Sequence, residues 1–179
     1  MSSAIRVGIV GTGGMARQHA NNFKAIKSCR LVACADIMPG KAQEFAARHG
    51  IPAAYEDAQE MFRREKLDAV SVVTIDAAHA PVALAAIRQG LHVMCEKPLA
   101  DTLANARKME KAARVAGVLT AVNFSYRNRA ATQMAARLVE SGGGPVRVRF
   151  AVHGPFGRLR INGEVVAVAP LATRLAGRD

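Results

Sequence analysis

Near its N-terminus the chain reads Ile5-Arg-Val-Gly-Ile-Val-Gly-Thr-Gly-Gly-Met-Ala16, and further on Leu31-Val-Ala-Cys-Ala-Asp36. An apolar run enters a Gly-x-Gly-x-x-Ala turn, a helical stretch follows, and a second apolar run ends on an acid. In such a turn Gly11 permits the sharp bend from strand to helix, and Gly13 lets a phosphate approach the backbone. Ala16 is small enough for the helix to pack on the strand. The stretch therefore predicts the first β-α-β unit of a dinucleotide-binding fold.

The acid that ends the second apolar run strengthens this prediction. Asp36 lies 25 positions after Gly11, close to the spacing of about 20 at which a carboxylate accepts hydrogen bonds from the adenosine ribose. The helix that starts after the turn would offer free N–H groups and a partial positive charge to the phosphates. The alternative interpretation is an ordinary strand-to-helix turn that merely requires glycine.

Composition limits the remaining possibilities. A chain of 179 residues, half of them hydrophobic, provides for one domain or somewhat more than one. It contains no apolar run of about 18 residues and no signal-peptide pattern, so we expect a cytoplasmic protein without a membrane partner. The three cysteines (Cys29, Cys34 and Cys95) lie far apart, without metal-ligand spacing. We therefore expect reduced, buried thiols and no metal site.

The net charge of +11 is concentrated toward the C-terminus. Residues 126–179 contain nine arginines, no lysine and three acids. Nucleic-acid binding would favour basic residues interleaved with aromatic ones, and only 4% of the residues are aromatic. We therefore expect no nucleic-acid partner, although an acidic protein partner for the arginine-rich tail remains an alternative.

Apolar runs alternate with helical patterns along the first two thirds of the chain. Continuous runs such as Ala69-Val-Ser-Val-Val-Thr74 are typical of strands buried on both faces. Proline near helix starts and glycine after helix ends mark the boundaries. The fold class is therefore predicted as α/β, a doubly wound parallel sheet of the Rossmann type. The predicted strands lie near 4–10, 30–36, 53–55, 69–74, 91–95 and 118–122, and the helices near 14–27, 40–49, 57–65, 79–89, 101–116 and 129–141.

The pattern changes at Ser141-Gly-Gly-Gly-Pro145. One alternating strand is predicted at 146–152. Beyond His153, apart from the short apolar run Val165–Ala169, neither a long amphipathic helix nor a clear series of strands is predicted. The predicted organisation is a dinucleotide-binding domain over residues 1–124. Residues 125–179 are predicted to form a linker helix and only the start of a second α+β domain.

Three polar segments follow predicted strands at the edge where open α/β sheets bind ligands. They are Thr74-Ile-Asp-Ala-Ala-His79, Glu96-Lys-Pro98 and Asn123-Phe-Ser-Tyr-Arg127. An ammonium group such as that of Lys97 can stabilise negative charge on an alcohol oxygen or help to move its proton, which suits oxidation of a secondary alcohol. The alternatives are a solvated lysine, a histidine that only packs on its helix, and a surface arginine in a linker.

With these segments in view, residues 4 to about 152 resemble the Gfo/Idh/MocA family of NAD(P)-dependent oxidoreductases. The most specific signature is Val93-Met-Cys-Glu-Lys-Pro-Leu-Ala100, which is similar to the family's Glu-Lys-Pro motif. The resemblance implies hydride transfer between nicotinamide and a sugar, polyol or inositol-type secondary alcohol. Ile75 replaces the proline that is usual in the family's Thr-Pro-x-x-x-His stretch, so the local turn is expected to differ.

The resemblance also implies roles for particular residues. Lys97 is expected to contact the reacting hydroxyl as the catalytic residue, and Glu96 to lie by the nicotinamide ribose. The full set expected to bind the cofactor is Gly11, Thr12, Gly13, Gly14, Met15, Asp36, Thr74, Ile75, His79, Glu96, Lys97, Asn123 and Arg127.

Asp36 favours NAD over NADP, because its charge would repel a 2′-phosphate and Ile37 offers that phosphate no positive partner. Lys41 is the nearest cation in the sequence that could favour NADP.

Family members are usually about twice as long as this chain. Their second domain carries a Gly-x-His-x-x-Asp pattern that joins the lysine in catalysis, and no such pattern occurs here. The expectation is therefore a truncated or frame-shifted member. Its alternative function is a cofactor-binding remnant without turnover. Homo-oligomerisation is possible, and the identity of the substrate is not determined by the sequence.

Overall fold

Six parallel strands form the sheet of the first part of the chain. They are β1 (Ile5–Val10), β2 (Cys29–Ala35), β3 (Ala53–Tyr55), β4 (Ala69–Val72), β5 (His92–Cys95) and β6 (Thr120–Val122). Their spatial order is β3-β2-β1-β4-β5-β6, and every neighbouring pair runs parallel. The order reverses between β1 and β4, which opens a crevice at the carboxyl ends of these two strands. The predicted doubly wound parallel sheet is confirmed.

The computed structural model describes residues 4–140, 148–153, 156–161 and 164–170. The chain divides into two compact units, Met1–Asn123 and Phe124–Asp179.

Five helices connect the strands of the first unit. They are α1 (Gly14–Ala25), α2 (Lys41–His49), α3 (Ala58–Arg64), α4 (Asp76–Arg88) and α5 (Leu103–Ala116). Small residues of α1 and α2, including Ala16, Ala20 and Ala42, pack with Ile9 and Cys34 in one apolar cluster. Residues of α3, α4 and α5 belong to a second, larger cluster. The sheet is thus covered by helices on both faces, as its continuous apolar strands require.

Side chains and glycines mark several helix ends. The Asp57 carboxylate accepts hydrogen bonds from the backbone N–H groups of Gln59 and Glu60 at the start of α3, which satisfies two donors that have no partner within the helix. Gly50 and Gly117 adopt left-handed conformations after α2 and α5.

The predicted start of α4 is wrong by three residues. The helix begins at Asp76, not near 79, and therefore contains Pro81 in its interior instead of its first turn. The preceding strand also ends earlier than predicted, at Val72. The intervening residues form the turn that leads from the sheet to the helix.

The second unit has helices followed by an antiparallel sheet. Its elements are a 3₁₀ helix (Ser125–Asn128), α6 (Ala130–Glu140), β7 (Val148–His153), β8 (Phe156–Ile161) and β9 (Glu164–Pro170). The strands pair in the order β7-β8-β9. The expectation of no strand series beyond His153 is therefore wrong. The sequence carries a signal for it, because Asn162-Gly163 between two apolar runs is a typical hairpin dipeptide.

Part of the predicted strand at 146–152 lies outside the described residues, as does the Ser141–Pro145 segment at which the sequence pattern changes. The described strand β7 begins at Val148.

Two histidines of the helices are buried in the structure. His19 on α1 is 3% exposed and His49 on α2 is 7% exposed. His49 packs against the Phe45 ring with 4.4 Å between ring centroids. Each lies three residues after a buried alanine of its own helix, Ala16 for His19 and Ala46 for His49, and so on the face that packs on the core.

Replacing Gly11 with alanine tests the turn at the carboxyl end of β1. The new Cβ would stand 2.5 Å from the Val73 carbonyl oxygen, at a backbone φ of +91°. We expect the free energy of unfolding, measured by urea denaturation, to fall by about 2–4 kcal/mol, because strain and overlap add. G14A is the matched control, since a Cβ there meets no atom within 4 Å. Equal stability of G11A and the unchanged protein would contradict the argument.

Candidate functional site

The glycine-rich turn joins β1 to α1 and leaves the start of the helix open. Gly11 needs its positive φ to pass beside the backbone of Val73, whereas a Cβ at Gly13 would meet no atom within 4 Å. Gly13 is the residue at the N-cap of α1, and no side chain caps the helix there. The first N–H groups of α1 are therefore available to an anion, and the helix dipole favours negative charge at the same place.

An open cleft of about 700 Å³ lies at this turn. It is formed where the strand order reverses, the position at which open α/β sheets bind their ligands. Ten of the residues predicted from the sequence to bind cofactor line it together: Gly11, Thr12, Gly13, Gly14, Met15, Asp36, Thr74, Ile75, Glu96 and Lys97.

Asp36 is held firmly at one side of the cleft. Its Oδ2 accepts hydrogen bonds from the Thr12 backbone N–H at 2.8 Å and from the Thr12 hydroxyl at 2.7 Å. Its Oδ1 accepts one from the Met38 N–H at 3.0 Å. Oδ1 thus retains acceptor capacity for a further donor, such as a ribose hydroxyl.

Electrostatics keep this carboxylate ionised. Partial burial alone would raise the pKa of Asp36, but the hydrogen bonds from Thr12 and Met38 and the positive charge of Lys41 outweigh it. The pKa of Asp36 therefore lies below its ordinary value of 3.8. Next to it, the Ile37 side chain is 85% exposed and gives the cleft an apolar rim.

A second carboxylate, Glu96, lies at the end of β5 in a buried polar cluster. Its Oε1 accepts a hydrogen bond from the Asn123 side-chain amide at 2.6 Å and lies 2.8 Å from the His19 Nε2. The His19 Nδ1 lies 2.9 Å from the Ser71 hydroxyl. Glu96 Oε2 accepts a hydrogen bond from the Lys97 backbone N–H at 3.2 Å. These contacts join α1, β4, β5 and the residue after β6.

Glu96 is ionised for similar reasons. Burial alone would raise its pKa, but the hydrogen bonds from Asn123, His19 and the Lys97 N–H, with the charge interaction with His19, hold the pKa of Glu96 below its ordinary value of 4.5. The neighbouring Lys97 side chain is exposed and lines the cleft, and the Lys97–Pro98 peptide bond is cis. A fixed anion and a free ammonium group thus stand side by side.

His79 is placed differently from the other predicted residues. It is fully buried and does not line the cleft. Its Nδ1 lies 2.7 Å from the Pro98 carbonyl oxygen and its Nε2 lies 3.2 Å from the Thr74 carbonyl oxygen. The ring therefore joins the end of β4 to the turn that carries Lys97, acting from behind the cleft surface.

The two remaining predicted residues also lie apart from the cleft lining. Asn123 is half-buried and reaches the site through its bond to Glu96. Arg127 belongs to the 3₁₀ helix of the second unit, and its side chain lies outside the described residues.

The sequence reasoning missed His19 and Ser71, which complete the cluster around Glu96. A signal for His19 exists, because Ala16, His19 and Ala20 share the helix face that packs on the sheet. It also missed apolar residues from α3 and α4 that line the cleft, including Phe62 and Val82. Only the topology brings these helices to the site.

Two kinds of feature are absent from the described residues: a metal-binding cluster and a membrane-spanning helix. These residues include no group of three or more His, Cys, Asp or Glu residues that could hold a metal ion. None of their helices is long and apolar enough to cross a membrane.

All three cysteines are free, and burial is the main cause that raises the pKa of Cys34 to about 11 and of Cys95 to about 12. These two thiols are therefore poor nucleophiles at neutral pH.

Comparison with known proteins agrees with this geometry. Residues 5–124 match the model of the Gfo/Idh/MocA oxidoreductase family, described as having an NAD-binding Rossmann fold. The chain belongs to this family.

Two relatives show the kind of protein it resembles. It is 40% identical over 112 residues to an inositol 2-dehydrogenase of Rubrobacter xylanophilus, a match that covers 62% of this chain and 32% of the relative. It is 37% identical over 142 residues to a D-glucoside 3-dehydrogenase of Escherichia coli, covering 79% of this chain and 40% of the relative. The chain therefore spans about a third to two fifths of these relatives' length.

Solved structures show the same fold. An NAD-binding oxidoreductase from Klebsiella pneumoniae is 34% identical, with a TM-score of 0.73 over 83% of this chain and 42% of that one. A dehydrogenase from Bordetella pertussis, solved in complex with NADH and UDP-GlcNAcA, is 28% identical, with a TM-score of 0.76 over 80% of this chain and 44% of that one. The expected NAD-binding Rossmann fold is confirmed.

The lowered pKa of Asp36 predicts that the stability of the fold decreases at acidic pH. Since the native carboxylate binds a proton less tightly than the unfolded one, Asp36 stabilises the fold above about pH 4 and this contribution is lost as the pH falls through its folded pKa. We expect the melting temperature of D36N to fall less steeply than that of the unchanged protein between about pH 5 and pH 3.

The control for this measurement is E44Q, which alters an exposed carboxylate in an ion pair with Arg48. Its pH profile should follow that of the unchanged protein. Parallel profiles for D36N and the unchanged protein would show that Asp36 carries no such contribution.

Proposed function

We propose that the protein binds NAD(H) in the cleft between β1 and β4 and serves hydride transfer to or from a secondary alcohol of a sugar, polyol or inositol. One observation carries the proposal: the open glycine turn, the fixed Asp36 carboxylate and the Lys97 ammonium group line the same cleft. Nicotinamide supplies the hydride chemistry when the cofactor is bound, and the chain supplies binding, orientation and proton handling.

The residues fit this cofactor in order along the cleft. Within the glycine turn, the backbone N–H groups of Gly13, Gly14 and Met15 would hold the diphosphate, since a Cβ at Gly13 or Gly14 would meet no atom within 4 Å. Asp36 would accept hydrogen bonds from the adenosine ribose hydroxyls through the acceptor capacity left on Oδ1. Thr74 and Ile75 would contact the middle of the cofactor.

The nicotinamide end would meet the Glu96–Lys97 turn. Glu96 would accept a hydrogen bond from the nicotinamide ribose, and Lys97 would hold the alcohol oxygen and stabilise its negative charge as the proton leaves. The Lys97 side chain makes no hydrogen bond to any described residue, so its ammonium group is free to do this. His79 and Asn123 would support the turn from behind, and Arg127 is proposed as a further cofactor contact.

Asp36 also supports NAD as the preferred cofactor. Its ionised carboxylate would repel a 2′-phosphate, and the exposed Ile37 beside it offers no positive charge. Lys41 acts electrostatically on Asp36, which weakens the repulsion without removing it.

The remaining parts of the proposal concern the whole protein. We place the dinucleotide-binding domain at residues 1–124 and the linker helix with the start of a substrate domain at 125–179. Substrate specificity would then depend mainly on that second domain. A cytoplasmic location, homo-oligomerisation and the absence of nucleic-acid and membrane partners stay predictions.

A second candidate is a module that binds NAD(H) without turnover. One observation favours it: among the described residues that line the cleft, no histidine accompanies Lys97. The two candidates share the cleft and differ only in whether hydride transfer occurs.

Cofactor binding is tested by titrating the chain with NADH and NADPH while nicotinamide fluorescence is followed. We expect saturable NADH binding, and D36A should raise the Kd for NADH about 10–100-fold, because hydrogen bonds to a charged carboxylate are lost. The Kd for NADPH should change less, since the repulsion of its 2′-phosphate is lost as well. E110Q, an exposed carboxylate on α5 paired with Arg114, is the control. Absence of saturable binding would refute the proposal.

Turnover is tested by incubating the chain with NAD⁺ and a panel of inositols, hexoses and polyols while absorbance of the reduced cofactor is followed. K97A should lower kcat/KM by about 10²–10⁴-fold, the usual contribution of a positioned proton-transfer group. K108A, which removes an exposed lysine of α5, should behave as the unchanged protein. NADH binding without turnover on any member of the panel would favour the second candidate.

A further inference from the structure

Four polar side chains meet in the interior of the first unit, and the chemistry assigned to the cleft does not require all of them. They are His19, Ser71, Glu96 and Asn123, named here the buried quartet. His19 is 3% exposed, Ser71 is fully buried and Glu96 is 6% exposed. Burial of polar groups on this scale is costly unless every group has a partner, so the quartet needs a physical reason.

We propose that His19 is a positioning residue for Lys97: it holds the Glu96 carboxylate against the Lys97 backbone, so that the reactive lysine and the ribose-facing carboxylate keep one fixed geometry. This inference rests on the proposed function of the cleft. His19 does not line the cleft, whereas Glu96 and Lys97 do. It therefore acts through Glu96.

The short contact with Glu96 indicates which nitrogen of His19 carries a proton. An ionised carboxylate only accepts, so the 2.8 Å contact with Glu96 requires a proton on the His19 Nε2. The Asn123 side-chain nitrogen also lies 3.2 Å from the His19 Nε2, and in that protonation state this is a contact between two donors and not a hydrogen bond. In a neutral imidazole Nδ1 is then an acceptor, and the Ser71 hydroxyl at 2.9 Å can donate to it. Ser71 thus favours the tautomer that presents a donor to Glu96.

The two oxygens of Glu96 are used unequally. Oε1 accepts from both His19 and Asn123, which fixes the plane and direction of the carboxylate. Among the described residues, the one donor to Oε2 is the Lys97 backbone N–H, at 3.2 Å. One acceptor position of Oε2 is therefore left for a hydroxyl group in the cleft. The quartet orients the Glu96 carboxylate and still leaves it an acceptor position for a ligand.

The same bond connects two parts of the cofactor site. His19 lies on α1, the helix whose open N-terminus is formed by Gly13 and Gly14, and Glu96 lies 77 positions later beside Lys97. The contact between His19 and Glu96, together with the sheet, therefore fixes the distance between the N-terminus of α1, where the diphosphate would bind, and the turn that carries Lys97. Such supporting contacts determine how precisely reactive groups are held.

The test compares three variants of the full chain. H19L removes both hydrogen bonds with an apolar side chain. H19Q keeps an amide N–H that can occupy the position of Nε2 and donate to Glu96, so it should rescue. H49L is the matched control, because His49 is also a buried histidine near the sheet, and its Nε2 has no hydrogen-bond partner among the described residues.

The first measurement needs no cofactor. The carboxyl carbon of Glu96 and the backbone amide of Lys97 are followed by NMR from pH 3 to pH 8. Among the described residues the titratable groups that act on Glu96 are His19 and Cys95, and the Cys95 thiol, with a pKa of about 12, stays neutral in this range. In H19L we expect Glu96 to bind its proton about tenfold more tightly and the Lys97 amide signal to move, because a hydrogen bond to a charged group is lost.

The second measurement uses two probes, NADH and ADP. ADP lacks both the nicotinamide and the ribose that Glu96 would bind, so it tests mainly the Asp36 end of the cleft. We expect H19L to weaken NADH binding about tenfold or more and ADP binding less than about twofold. H19Q should recover most of the NADH affinity, and H49L should leave both affinities unchanged.

Each outcome decides the inference. An unchanged Glu96 titration and Lys97 amide in H19L, equal weakening of both probes, or the same effects in H49L would overturn it, since they indicate a packing role only. If H19L does not fold, S71A takes its place, because it removes the donor that favours the tautomer, and a Glu96 titration unchanged in S71A would overturn the inference. Should the unchanged protein bind neither probe, the proposed function fails, and the NMR titration still decides the role of His19.

Discussion

The close passage of the Gly11 turn beside the Val73 backbone is the contact on which the rest of the site depends. It brings the end of β1 next to the end of β4, where the order of the strands reverses and a crevice opens. With a Cβ at Gly11, the turn would have to move outward, and the start of α1 would move with it. The free N–H groups of that helix, Thr12 and therefore Asp36 would all lose their placement.

Two ionised carboxylates mark the two ends of the cleft, and each is held by donors and not by a partner lysine. Asp36 receives three hydrogen bonds from Thr12 and Met38, and Glu96 receives bonds from three separate segments of the chain. In both cases these bonds outweigh the effect of burial and lower the pKa. Because these bonds leave acceptor positions on Oδ1 of Asp36 and Oε2 of Glu96, each carboxylate keeps acceptor capacity for hydroxyl groups.

Local patterns were enough to predict the sheet, the glycine turn and Asp36, because each depends on residues close together in the sequence. The contact between His19 and Glu96 could not be predicted in this way, since it joins residues 77 positions apart and is produced by the strand order. Burial of His19 was predictable from the sequence, because Ala16, His19 and Ala20 lie on one face of α1. The run Val165–Ala169 within β9 stands out in the sequence, whereas β8 alternates arginine with apolar residues and is marked only by the Asn162-Gly163 dipeptide that follows it.

The charges along the cleft indicate how an anionic dinucleotide would be held. Among the described residues that line it are the acids Asp36, Asp57, Asp76 and Glu96, and the one lysine or arginine is Lys97. Side chains therefore offer little net attraction to a diphosphate. The attraction has to come from the open N-terminus of α1, where backbone N–H groups and the helix dipole act at short range. This leaves the single ammonium group for the alcohol oxygen, so binding and chemistry use different sources of positive charge.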